Sequence, residues 1–289
     1  MSRRAARSGR RPGPLLAALL GLALTVLALV GLGVVPGWLS DSEPTGAPNP
    51  LVTRPPASPA PVSLAGRTIV LDPGHNGGNG GAPSVINRQV DAGGFRKACD
   101  TVGAQTADGY PEHAFTFDVA QRAATLLRSL GAEVVLTRAD DAGVGPCVDE
   151  RARIGNEAGA DAVVSIHADG GPESGSGFHV IAPAVSPDGG NEGIVAPSGR
   201  LAEALRSSFA AATGQQQADY LGASGITVRS DLGGLNLSQV PKVFLECGNM
   251  RNPEDAARLS DPSWRQRAAQ GIADGIARFL ADEPAASTG

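Results

Sequence analysis

From Leu64 onward, short apolar runs alternate with stretches in which apolar residues return every three to four positions, the pattern of an α/β sheet flanked by helices. Strand candidates lie at 68–71, 134–136, 162–166, 178–181 and 243–245. Their near-continuous apolarity predicts cover on both faces. Phe115, Val119, Ala123, Leu127 and Leu130 share one helical face, with Pro111 placed to open that helix and Gly131 to close it, so a helix is expected over 112–130. Similar spacing predicts helices at 147–158, 198–213 and 262–281. The fold class expected is a single-domain, mixed but mostly parallel sheet with helices on both faces. Two long polar stretches, 76–110 and 186–197, follow strands, and loops of that length are commonly functional.

The first 64 residues follow a different pattern. Residues 1–14 carry Arg3, Arg4, Arg7, Arg10 and Arg11, and residues 15–39 have no charged side chain. That run exceeds a signal-peptide core and suits a membrane span of about 20 residues. Basic residues before it and acids after it place the N-terminus in the cytoplasm and the rest outside. The segment is expected to be an anchor or a signal sequence, and 40–64, with seven prolines between Asp41 and Ser63, an extended linker. A domain over 65–282 and a disordered tail over 283–289 complete the expected organisation.

Net charge is −5 although five arginines crowd the N-terminus, so the main body is acidic. This argues against a nucleic-acid partner, which needs clustered Lys and Arg. Cys99, Cys147 and Cys247 form no CxxC pair, so a thiolate metal site is not expected. In an exported domain one pair can form a disulfide. Cys247 continues a strand expected to be buried, which leaves Cys99 and Cys147, both in polar stretches, as the expected pair.

Four residues carry candidate chemistry. His75, His167 and Glu246 stand at the carboxyl ends of predicted strands, where open α/β sheets bind ligands, and Glu112 lies in the first turn of the helix behind Pro111. Two imidazoles and a carboxylate can hold a catalytic zinc ion, leaving Glu246 as the proton-transferring group. Each also has an ordinary structural reading, and spacing alone leaves the two evenly balanced.

The segments Ile69-Val70-Leu71-Asp72-Pro73-Gly74-His75, Ser165-Ile166-His167-Ala168-Asp169 and Val243-Phe244-Leu245-Glu246-Cys247-Gly248, with Glu112, change that balance. From about Arg67 to Leu280 the chain resembles the zinc-dependent N-acetylmuramoyl-L-alanine amidases of bacterial cell-wall turnover, particularly compact actinobacterial forms. The resemblance implies Zn2+ held by His75, Glu112 and His167, with Glu246 catalytic. It implies a peptidoglycan or muropeptide substrate; with the N-terminal pattern, the expectation is an extracytoplasmic monomer. Arg138, Arg151 and Asn156 match recurrent positions read as structural, whereas Asn76 and Asn249 depart from the family's usual glycine and aromatic. His113 is expected to point away from the ligands, His179 to serve in the core or at the surface, with a place in the pocket as its alternative, and Cys247 to be a small buried thiol. The alternatives are another zinc hydrolase, such as a peptidase or deacetylase, and a non-catalytic wall-binding regulator.

Overall fold

A computed structural model of the chain describes residues 62–221 and 224–282. The expected basic N-terminus, anchor or signal sequence, nearly all of the linker and the tail lie outside these residues. Among the described residues no helix is long and apolar enough to cross a membrane. The strands are β1 Thr68–Pro73, β2 Gln89–Asp91, β3 Arg96–Ala98, β4 Glu133–Leu136, β5 Ala162–Asp169, β6 His179–Pro183, β7 Ile226–Arg229 and β8 Lys242–Asn249. The helices are α1 Pro83–Ile86, α2 Glu112–Ser129, α3 Val148–Glu157, α4 Glu192–Thr213, α5 Gly233–Asn236, α6 Pro253–Ser260 and α7 Pro262–Asp282.

Six strands form one sheet in the order β4-β1-β5-β8-β6-β7, parallel except where β6 runs antiparallel to β8. The chain leaves β1 for β4 on one side and returns to β5 on the other. The topological switch therefore lies between β1 and β5, where a crevice opens at the carboxyl ends.

Strand side chains alternate between faces. Ile69, Leu71, Val164, Ile166, Val243 and Leu245 point into the main core, which α2, α4 and α7 cover with Phe115, Leu127, Leu205, Phe209, Trp264 and Ile276. The other parity faces the α3 side, and there the apolar cluster is small: Val70, Ala160 and Val163. Beyond those residues the same face carries buried polar groups, Asp72, Ser165 and Lys242. Both faces are covered as expected, but one of them by charge as much as by hydrocarbon.

Several expected boundaries change. β5 and β8 run past 166 and 245 because the two strands stay paired through His167 opposite Glu246, so these residues lie within strands rather than after them. α4 begins at Glu192, ahead of the start at 198 that the apolar spacing predicts, with Pro197 inside it. The polar stretch at 186–197 is therefore partly helix. Residues 76–110 also have structure, including α1 and the β2–β3 hairpin.

Candidate active site

His75 sits two residues beyond β1 in the left-handed region, φ 60, with Gly74 before it. A Cβ at position 74 would come within 2.2 Å of the His167 ring, so only glycine lets β1 and β5 deliver the two imidazoles side by side. Glu112 is the first residue of α2, where a carboxylate complements the helix dipole. Donor atoms of His75, Glu112 and His167 all lie within 4.8 Å of one another. His75 Nε2 is 3.3 Å and His167 Nδ1 3.0 Å from Glu112 Oε1. Backbone N–H groups of Ala104 and Ala168 donate to the two Glu112 oxygens at 2.7 and 3.1 Å. The His167 ring stacks on Phe244, with centroids 4.9 Å apart.

Burial opposes charge on His75, yet the Glu112 and Asp100 carboxylates outweigh it and raise the imidazole to about 10. Glu112 is likewise pushed up by burial, but the two histidines hold it well below the usual carboxylate range. The cluster thus favours positive charge at its centre, and its donor set, two ring nitrogens and a carboxylate, fits a zinc ion. Glu246 faces the same cleft of about 340 Å³. Burial, then the Glu112 and Asp169 carboxylates, raise its carboxyl well above the ordinary value. Its Oε2 is buried and has no hydrogen-bond partner among the described residues.

The N-acetylmuramoyl-L-alanine amidase family, Amidase_3, matches residues 69–278. The chain belongs to this family. The amidase is 42% identical over 240 residues to the N-acetylmuramoyl-L-alanine amidase Rv3717 of Mycobacterium tuberculosis, covering 82% of this chain and 95% of that protein. Its fold matches the amidase Ami1 of Mycobacterium smegmatis at a TM-score of 0.71 and 45% identity, over 76% of this chain and 100% of that one. Apo Ami1 of Mycobacterium abscessus matches at 0.69 and 46%, over 75% and 99%. Its activity class is that of a peptidoglycan amidase, as the sequence resemblance implied.

The other residues singled out in the sequence fall around this centre. His113 turns away from the donor cluster and its Nδ1 lies 2.8 Å from Asp141. His179 is buried beside Glu246 in the antiparallel register of β6 with β8, so it belongs to the site face rather than to the main core. Cys247 points into the apolar core, where burial raises its thiol well above the ordinary value. Cys99 and Cys147 are joined in a disulfide. Arg138 and Asn156 brace backbone carbonyls, Pro73 O and Leu237 O among them. The two departures from the family pattern are also braces: Asn76 donates to Gly145 O, and Asn249 to Pro172 O and Gly175 O. Of the two long polar stretches, 76–110 lines the cleft through residues such as Lys97, Asp100 and Gly103, whereas 186–197 contributes none of its wall.

Asp100 and Asp72 are the residues that sequence reasoning passed over. Asp72 stands inside a matching segment and could have been questioned as an acid ending an apolar strand. Asp100 sits in a polar loop among other polar residues, with no local signal.

Proposed function

We propose that the chain hydrolyses the amide between N-acetylmuramic acid and L-alanine through a zinc ion held by His75, Glu112 and His167, with Glu246 moving the proton. The observation that carries this reading is the convergence of the three donors in the lining of a cleft that Glu246 also faces. When bound, the ion supplies Lewis acidity, polarising the scissile carbonyl and making a water molecule more acidic. Glu246 Oε2 accepts the proton of the attacking water and returns it to the alanine nitrogen as the C–N bond breaks. Burial makes the Glu246 carboxylate a stronger proton acceptor than an exposed one, which suits the first half of that transfer. The products are a muramic acid carboxylate and a stem peptide with a free amine.

The domain over 65–282 would act outside the cytoplasm, carried by the linker at 40–64 and anchored, or exported, through 15–39. The Cys99–Cys147 disulfide supports an oxidising compartment. Recovery of the full-length protein in a membrane fraction after a high-salt wash would separate an anchor from a cleaved signal.

The test of the site combines zinc content with product analysis on muramoyl-dipeptide. His75→Ala and His167→Ala should lose both zinc and turnover. Glu246→Ala should keep zinc and lose activity about 100- to 10,000-fold. Equal zinc loss in Glu246→Ala would reassign that residue as a ligand, and failure of the wild type to release new N-terminal alanine would reject the reaction.

A further inference from the structure

We infer that Asp100 is a positioning residue for the metal centre: it fixes the His75 ring with Nδ1 protonated and Nε2 free to face the metal. The inference rests on the zinc reading above. Three oxygens surround His75 Nδ1: Asp100 Oδ1 at 3.2 Å, the Thr101 carbonyl at 3.1 Å and the Thr101 hydroxyl at 3.3 Å. A carboxylate and a carbonyl can only accept, so Nδ1 must be the donor and the lone pair of the neutral ring lies on Nε2. Nε2 is the nitrogen turned toward Glu112. Of the three acceptors, Asp100 is the charged one, and charge-assisted hydrogen bonds are the stronger class. Its carboxylate also increases the ring's basicity as a ligand.

Asp100 is itself held firmly. Its Oδ2 accepts from Arg151 Nη2 and Asn79 Nδ2, both at 3.1 Å, and its Oδ1 accepts from the Thr101 N–H at 2.7 Å. Arg151 also donates to the His75 carbonyl at 3.0 Å, so one guanidinium fixes the backbone of His75 directly and the ring through Asp100. The disulfide joins the two supports: Cys99 precedes Asp100, and Cys147 caps α3 one turn before Arg151. The Val148 N–H completes the join by donating to the Cys99 carbonyl at 2.8 Å. Asp100 stands behind the ring, on the side away from Glu112, so it orients a ligand without being one.

Zinc affinity, measured by competition with a chromophoric chelator, tests this apart from turnover. Asp100→Ala should weaken zinc binding about 10- to 100-fold. Asp100→Asn should weaken it less, because the amide oxygen still accepts from Nδ1–H, and it decides the matter if the alanine variant does not fold. In the cobalt-substituted protein the visible bands should shift in both variants, reporting a changed His75 ligand field. Affinity within twofold of wild type overturns the inference. So does a lower melting temperature of the metal-free variants with unchanged affinity and bands in the folded fraction, since Asp100 would then be only structural. Failure of the wild type to bind zinc would instead reject the zinc reading itself.

Discussion

The two faces of the central sheet are built from the same strands yet solve burial in opposite ways. On the α2/α4/α7 side, hydrocarbon meets hydrocarbon, and Phe209 packs between Phe178 and Trp264. On the α3 side, Asp72 accepts hydrogen bonds from Thr137, Ser165, Arg151 and Lys242 at 2.7, 2.8, 2.8 and 3.2 Å. Burial alone would raise the Asp72 carboxyl, but Lys242 and Arg151 drive it far below its usual range. An apolar face depends on shape and tolerates small changes. A buried charge network depends on every partner, and it shares its face with His167 and Glu246, which line the cleft.

The largest expected effect comes from breaking that network. Asp72→Ala should cost about 3–5 kcal/mol in denaturant unfolding, because Lys242 and Arg151 lose their shared buried counter-charge. A cost near 1 kcal/mol would mean that the polar face is no more demanding than the apolar one.

A second effect of the polar face depends on pH. Burial lowers the His179 imidazole to about 4, with Asp169 opposing and Arg229 adding to the shift. The unfolded residue titrates near 6.5, so the neutral ring's contribution is complete above about pH 6.5 and is lost as pH falls toward 4. Wild type should therefore lose up to about 3 kcal/mol more stability between pH 7 and pH 4 than His179→Gln. Parallel pH profiles would remove His179 from the comparison. The smallest effect belongs to the apolar face, where Ile276→Val should cost about 1 kcal/mol in the same unfolding measurement and leave zinc content unchanged. A larger cost, or a change in zinc content, would tie the two faces together.

How much of this could be read from the chain depended on whether the signal was local. The helix at α2 declares itself through Phe115, Val119, Ala123 and Leu127, all fully buried. It ends one residue short of the span predicted from the sequence. β7 escaped because it is a short edge strand with Val228 65% exposed, so it lacks a buried-strand pattern. α6 escaped although Asn252-Pro253 marks its start and the Asn252 side chain caps it. At the site, His75, Glu112, His167 and Glu246 were legible through short matching segments, because each sits at or near the end of a regular element. Asp100 was not, since its role comes from a contact with a residue 25 positions away. The loop that brings the two together has no periodicity to read.

The pairing of His167 with Glu246 across β5 and β8 has a consequence for fidelity of assembly. Successive side chains on a strand point to opposite faces, so sliding β8 by one residue would turn Glu246 into the hydrocarbon layer and swing Cys247 into the cleft. Hydrolysis therefore reports on alignment: a misthreaded molecule would be inert as well as unstable. The amidase thereby carries a safeguard in its strand register, since a chain paired out of step cannot act.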